Sequence, residues 1–497
     1  DGNLKRMDYL KEDIGFFPYF WGERDEVIIV GPGGGKDVLF ALLGGSDKIV
    51  GVEINPGTIR AMHAFSEFNG GIYENYNNVK IIVDEGRRFV RSSREKYDII
   101  YLSLVYTQSA ELKGCSLTEN YVYTREAFGE YLNHLKEDGK LVMIFHDIHD
   151  LTKGFITALT ALKEKGENIQ EAANHIIIIN GSDDNMISRP LLVVKKSKFT
   201  PQEVEEIGEL ALKSKFTPLF LPYWEKGAFY SLISKGEVSL QGFVSYASDR
   251  MSPATDNSPF FYQFDRGIPL ELKVLLCPIS VFLLIVIFWI VLRGKKKAKG
   301  EGKLNIFLPV YFPLLGIGYM LIEVSLIQKF LLFLGYPSLL LSVVLFSLLL
   351  SSGLGSLLSD YLFSRGPSKK IFLIPLMVSL IVISYIPALG FIFNKFLIES
   401  ISNRSLVVMT IVFPLGFLMG MPFPLGLKML KERFPEDIPL AYAINGVASV
   451  VGSILVVVIA LLWGFSQAFV VGAVVYLVIM MQLLWAFPVF HKNFCSF

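Results

Sequence analysis

Val27-Ile28-Ile29-Val30-Gly31-Pro32-Gly33-Gly34-Gly35-Lys36-Asp37 is the stretch whose reading decides the fold. Four β-branched residues in a row suit a strand buried on both faces. The glycines after it let the backbone turn tightly and come close to a ligand, just before the helical stretch Val38 to Leu43. A phosphate-binding P-loop fails, because Gly31 to Lys36 is one residue short of GxxxxGK and Asp37 stands where Ser or Thr is needed. ATP is not the expected ligand. Twenty-two residues after Gly31, at the end of the strand Ile49 to Val52, comes Glu53. An acid about 20 residues beyond such a loop is positioned for a pair of ribose hydroxyls at the carboxyl edge of a parallel sheet. A third strand, Val79 to Val83, ends in Asp84 and Glu85, where an adenine amino group finds an acceptor. Arg87 and Arg88 are expected on a solvated face.

Working outward, further strands are expected at Ile99 to Leu102 and Leu141 to Phe145, alternating with amphipathic stretches. That alternation predicts a parallel sheet covered by helices. The whole chain has 497 residues, 52% hydrophobic and 19% charged, with mean hydropathy +0.46. It is too apolar for an ordinary soluble protein and too charged to be all membrane. Composition divides it near residue 268. From Val274 to Leu292 runs an uncharged segment, and a spanning helix needs about 20 such residues. Further apolar segments at about 304–327, 338–358, 371–393, 406–427, 440–463 and 467–487 bring the expected spans to seven. The expected domains are therefore 1–268 and an all-α, multi-pass membrane domain, 269–497.

Basic residues after the first span (Arg293 to Lys303), the third (Arg365, Lys369, Lys370) and the fifth (Lys428, Lys431, Arg433) put linker 293–303 in the cytoplasm by the positive-inside rule. Seven spans with a cytoplasmic C-terminus put residues 1–268 outside, unless the first segment does not cross; the side of that domain stays open. A net charge of +1 carries no nucleic-acid signal. Three cysteines (Cys115, Cys277, Cys495) without a CxxC exclude a zinc ribbon or a disulfide framework. The chain opens at Asp1 without a leader-like segment, which reads as truncation or processing.

The segments GPGGGKD, VGVEINP, VDEGRRFVRSSREKYDII and TENYVYTREAFGEYLNHLKEDGKLVM resemble the spermidine synthase branch of S-adenosylmethionine-dependent transferases. The chain as a whole is similar to multi-spanning spermidine synthase-like membrane proteins, through GYMLIEVSLIQKFLLFLGYPSLLLSVVLF, PLGFLMGMPFPLGLKML, AYAINGVASVVGS and the junction-like PATDNSPFF at 253–261. The resemblance implies an α/β Rossmann-like domain of class I methyltransferase and spermidine synthase type. It implies S-adenosylmethionine or decarboxylated S-adenosylmethionine held by Gly31, Gly33, Gly34, Gly35, Asp37, Glu53 and Asp84 or Glu85. The reaction is a separate matter. Aminopropyltransferases carry a GGGDG loop, whose acid is Gly34 here. They also carry a DSSDP-like segment after the fourth strand, where this chain has Ser103 and Tyr106 in place of the acids. Their tyrosine-bearing hairpin before the loop has no clear counterpart in residues 1–26.

A polyamine nitrogen with a pKa near 10 attacks a sulfonium carbon only as the free base, so it needs a carboxylate to bind its cation and take its proton. Methyl transfer depends mainly on positioning and survives those substitutions better. The expectation is a membrane-bound methyltransferase-like enzyme acting on a small-molecule or lipidic acceptor, with the bilayer as partner and room for an oligomer. The alternatives are an aminopropyltransferase, and a transporter or sensor whose cofactor domain does not turn over. Weak catalytic candidates are Ser103, Tyr106, Glu119 and Tyr123. Glu119 to Tyr123 read either as an acceptor-side lid or as the cap of a helix starting near Thr124. His146-Asp147-Ile148-His149-Asp150 reads as loop polarity, and no metal is expected. In the membrane half, Glu323 and Asn445 are costly unless they face a polar interior. Pro422 and Pro424 should break the fifth span. Gly353 with Gly355, and Gly446 with Ser449 and Gly452, suggest close helix packing.

Overall fold

In the computed structural model, residues 2–105, 117–181, 189–224, 228–247, 249–297, 307–362, 369–431 and 435–494 are described. The chain separates into two compact units, Asp1–Arg266 and Gly267–Phe497.

The first unit is built on a mixed sheet of β1 (Glu26–Val30), β2 (Lys48–Glu53), β3 (Val79–Val83), β4 (Tyr97–Ser103), β5 (Leu135–Ile144), β6 (Ile176–Gly181), β7 (Arg189–Lys195) and β8 (Thr217–Phe220). Their order is β3-β2-β1-β4-β5-β7-β6-β8. The first five are parallel, and β7 runs antiparallel to β5. This is the Rossmann-like, class I methyltransferase arrangement. Both faces of the sheet are buried, so its central strands are apolar throughout rather than alternating. Ile28, Val30, Ile100 and Leu102 point into one core, and Val27, Ile29, Ile99 and Tyr101 into the other. The first core is closed by α4 (Arg125–His134) and α5 (Ile148–Glu164). The second is closed by α1 (Lys36–Leu43), by α6 (Pro201–Lys213) and by Phe16, Phe17 and Tyr19 of the N-terminal segment. Helices α2 (Pro56–Ala64) and α3 (Gly86–Ser92) follow β2 and β3.

From β1 the chain steps outward to β2 and β3, then returns to place β4 on the other side of β1. The carboxyl ends of β1 and β4 therefore flank a topological switch point, the place where open α/β sheets bind ligands. The segment 253–261 lies shortly before the boundary between the two units. It belongs to the first unit, with Phe260 and Phe261 buried.

The second unit holds α7 (Leu270–Lys297), α8 (Phe307–Leu334), α9 (Pro337–Leu362), α10 (Leu373–Phe396), α11 (Ile401–Met419), α12 (Pro422–Lys431), α13 (Ile438–Trp463) and α14 (Phe465–Phe494). Among the described residues, seven helices (α11 and α12 together counting as one) are long and apolar enough to cross a membrane. Their outward faces carry Phe346, Leu349, Leu357, Leu380 and Phe391, each more than half exposed. Such a surface suits a bilayer rather than water, and this half is a multi-pass membrane domain. The fifth span breaks after Met419 and resumes at Pro422, as the proline pair requires. Close packing falls on part of the expected glycines. A Cβ at Gly355 would strike the Phe417 carbonyl and one at Gly452 would come within 2.9 Å of Ile317 Cα, whereas Gly353 and Gly446 face open space.

Candidate functional site

The glycine loop follows β1 with left-handed φ angles at Gly31 (70°), Gly33 (50°) and Gly35 (85°), which a side chain would strain. Three contacts brace it. Gly31 N–H donates to the Val52 carbonyl (2.8 Å), Gly35 N–H to that of Pro32 (2.8 Å), and the Tyr73 hydroxyl to that of Gly33 (2.7 Å). A Cβ at Gly34 would meet nothing within 4 Å, so the outer face of the loop is open.

Glu53, at the end of β2, is buried and turned toward this loop. Its Oε2 accepts from Gly33 N–H (3.2 Å) and its Oε1 from Asn55 N–H (2.9 Å). An ionised carboxylate has about four acceptor positions, so one on each oxygen stays open while two amides fix its orientation.

Asp84 and Glu85 are more committed than their sequence suggests. Asp84 accepts from its neighbour's amide (2.7 Å) and from Arg88 Nε (2.8 Å), and it is ion-paired with Arg88 through its second oxygen. Glu85 caps α3 through the Arg87 and Arg88 amides (3.1 and 2.7 Å), and burial raises its pKa. The two arginines are not on a solvated face. Arg87 is 1% exposed and bonds Glu130 (2.7 Å), Asp256 (2.6 and 2.8 Å), the Tyr121 carbonyl (2.9 Å) and Thr124 (3.0 Å).

Asp37 lies in the first turn of α1 and is buried. Desolvation lifts its carboxyl to about 7, against the opposing pull of Lys36, with Asp13 adding to the rise and a hydrogen bond from Ser103 lowering it. Ser103 thus meets the loop helix across the switch point. Tyr106 lies outside the described residues. Glu119 is half-buried, and burial raises its pKa. Tyr121 and Tyr123 do not form an open lid, because they make one buried turn before Thr124, the N-cap of α4. Tyr123 packs against Phe261 at 4.8 Å and Phe145 at 5.6 Å between ring centroids.

In the loop after β5, Asp147 caps α5 through the Asp150 amide (2.9 Å), and His149 faces Asp249 at 3.4 Å. Among the described residues there is no group of three or more side chains arranged to hold a metal. Burial pushes Asp150 up to about 7 and Lys153 down to about 7, and Lys153 Nζ donates to the Gln263 carbonyl (3.0 Å). Sequence reasoning missed Tyr73 under the loop and the Arg87–Asp256 pair. That pair joins positions 169 residues apart, and no local pattern signals it.

In the second unit Glu323 and Asn445 are both half-buried and lie on the adjacent helices α8 and α13. The Asn445 backbone carbonyl accepts from Ser449 (2.9 Å).

No family model matches the chain. A polyamine aminopropyltransferase of Korarchaeum cryptofilum (strain OPF8) is 23% identical over 239 residues, which are 47% of this chain and 67% of that protein. Among solved structures, the spermidine synthase of Thermotoga maritima is 17% identical over 38% of this chain and 61% of its own, with a TM-score of 0.28. Human methyltransferase-like protein 13, solved in complex with SAH, is 14% identical over 45% and 97%, with a TM-score of 0.29. Overlays this loose leave the strand order as the ground for the fold.

Proposed function

We propose that the first unit binds S-adenosylmethionine or its decarboxylated form, and that the chain is a membrane-bound transferase of methyltransferase type acting on a small-molecule or lipidic acceptor. The observation that carries this reading is Glu53, a buried carboxylate held by two amides beside an open glycine loop at the switch point, with acceptor capacity left for two hydroxyls. In this reading Glu53 takes the ribose hydroxyls. Gly31, Gly33, Gly34 and Gly35 let the cofactor approach the backbone, and Asp84, oriented by Arg88, receives the adenine amino group. Glu85 supports them as a helix cap. Asp37, buried in the first turn of α1, takes part in holding the cofactor beside the loop.

A bound S-adenosyl group offers an electrophilic carbon on its sulfonium. What this chain adds is orientation and the exclusion of water. With Ser103 at the end of β4, the described residues offer no paired acids there to hold and deprotonate a polyamine, which favours methyl over aminopropyl transfer. The name of the archaeal relative favours aminopropyl transfer as the second reading. The basic run Arg293 to Lys303 supports a cytoplasmic location for that linker.

Calorimetry on the full chain in detergent, with S-adenosylmethionine, decarboxylated S-adenosylmethionine and spermidine in turn, tests the reading. Saturable binding of an S-adenosyl compound is expected. Binding of spermidine alone would replace this reading with a carrier or sensor.

A further inference from the structure

We propose that Glu323, with Tyr319 one turn before it, forms a site for an organic ammonium group within the membrane-spanning unit. Glu323 is the only acid in α8, and at 1.5 Å per residue it stands about 4 Å from the middle of that 28-residue helix. A charge at that depth is expensive unless something compensates it. Nothing among the described residues does so, since Glu323 makes no hydrogen bond or ion pair with them.

The one cation of the helix does not serve. Lys329 is six residues on, about 240° around the helix, and it is engaged by Ser466 Oγ at 2.9 Å and by the Phe469 ring at 6.0 Å. Several other polar side chains of this unit are closed internally, although Ser325 Oγ and Gln482 Oε1 are buried without a hydrogen-bond partner among the described residues. Tyr311 donates to the Pro422 carbonyl (2.7 Å), Ser379 to that of Ala473 (2.8 Å), Tyr385 to that of Ile411 (2.5 Å) and Arg404 to that of Phe333 (2.6 Å). Glu323 is the carboxylate that differs from those four side chains.

Its position on the helix is defined by its neighbours. Gly316 lies against the Asn445 carbonyl and Ser449 of α13, and Met320 against Gly452. Glu323, seven residues after the one and three after the other, is on the same side of α8. Tyr319 precedes it by four residues, is also only partly buried, and lies within electrostatic reach of the carboxylate.

An acid and a phenol ring next to each other in apolar surroundings suit an ammonium, whose N–H groups donate to the carboxylate while its charge rests on the ring. A divalent metal is a poor match, because calcium takes six to eight oxygen ligands and this pair supplies few.

The test is modification of the full chain by N,N′-dicyclohexylcarbodiimide, a reagent for carboxyls in apolar surroundings, located by peptide mass spectrometry. It is run with n-butylammonium chloride and, as the neutral control, with butanol. Glu323 should be modified, n-butylammonium should slow that modification and butanol should not. Glu323→Gln should lose the adduct while eluting from size exclusion as the parent does. Tyr319→Leu should keep the adduct but need about five- to thirtyfold more n-butylammonium for the same protection, the worth of a desolvated cation–π contact. Equal rates with n-butylammonium and butanol would mean a carboxyl that binds only a proton and would overturn the proposal. So would a Glu323 that is not modified at all.

Discussion

Removing Asp256 should loosen one specific seam of the first unit. Arg87 is 1% exposed, and its guanidinium is shared by Asp256 and Glu130, whose side chains are 30% and 21% exposed. Asp256 also accepts from Thr124 Oγ1 (2.7 Å), the cap of α4. Around it, Asn120 N–H donates to the Pro259 carbonyl (2.7 Å) and Arg125 N–H to that of Ala254 (3.0 Å). Breaking a fully buried pair costs about 3–5 kcal/mol. The partial exposure of Asp256 and the surviving Glu130 contact lower that for Asp256→Ala to about 2–3 kcal/mol, in line with charged hydrogen bonds. At about 1.4 kcal/mol per factor of ten, the Asn120 and Arg125 amides should exchange about 30- to 160-fold faster, with the central strands little changed. Arg87→Met should cost more, because it leaves two carboxylates facing each other without their cation. Hydrogen–deuterium exchange on the full chain reads both. Unchanged exchange over residues 117–126 in Asp256→Ala would refute the assignment of this pair as the clasp.

Asp37 rises from 3.8 to about 7 on folding, so the folded state holds its proton more tightly and this group withdraws stability as pH climbs through that window. Asp37→Asn should therefore lose less melting temperature than the parent between pH 4 and pH 7; equal losses would contradict the burial argument. With decarboxylated cofactor, putrescine and spermidine should yield no aminopropylated product by mass spectrometry, because Ser103 and Gly34 stand where acids would hold the amine; abundant product would reverse that. A single cysteine at Ala298, in a chain lacking its three native cysteines, should resist an impermeant maleimide on intact cells. Labelling from outside would invert the bundle, and equal protection of a probe at Lys165 would put the first unit in the cytoplasm.

The five parallel strands were legible because each is a short apolar run, buried on both faces in β1, β2 and β4, and the seven spans because apolar length is itself the signal. Helix ends were less so. The α8 helix runs on through Glu323, Gln328 and Lys329 to Leu334, where composition alone stops earlier. The antiparallel strands β6 to β8 depend on pairing rather than on any local pattern, and Ile176 to Ile179 could as well be a parallel strand or part of a buried helix. Arg87 looked solvated for the same reason. Its partner arrives from a segment that resembles a domain-to-membrane junction in sequence, and only tertiary packing turns PATDNSPFF into a wall of the core. Glu53 was legible because its distance from the glycine loop is set by one β-α-β unit, whereas Tyr73, which braces that loop, is set by packing alone.

The central claim rests on Glu53, and titrating Glu53→Ala with S-adenosylmethionine beside the parent chain tests it most directly. The substitution strips two hydroxyls of a charged acceptor and frees the Gly33 and Asn55 amides. Binding should weaken by about 1.5–3 kcal/mol, roughly 10- to 150-fold in Kd. Equal affinity in the variant and the parent would contradict the account.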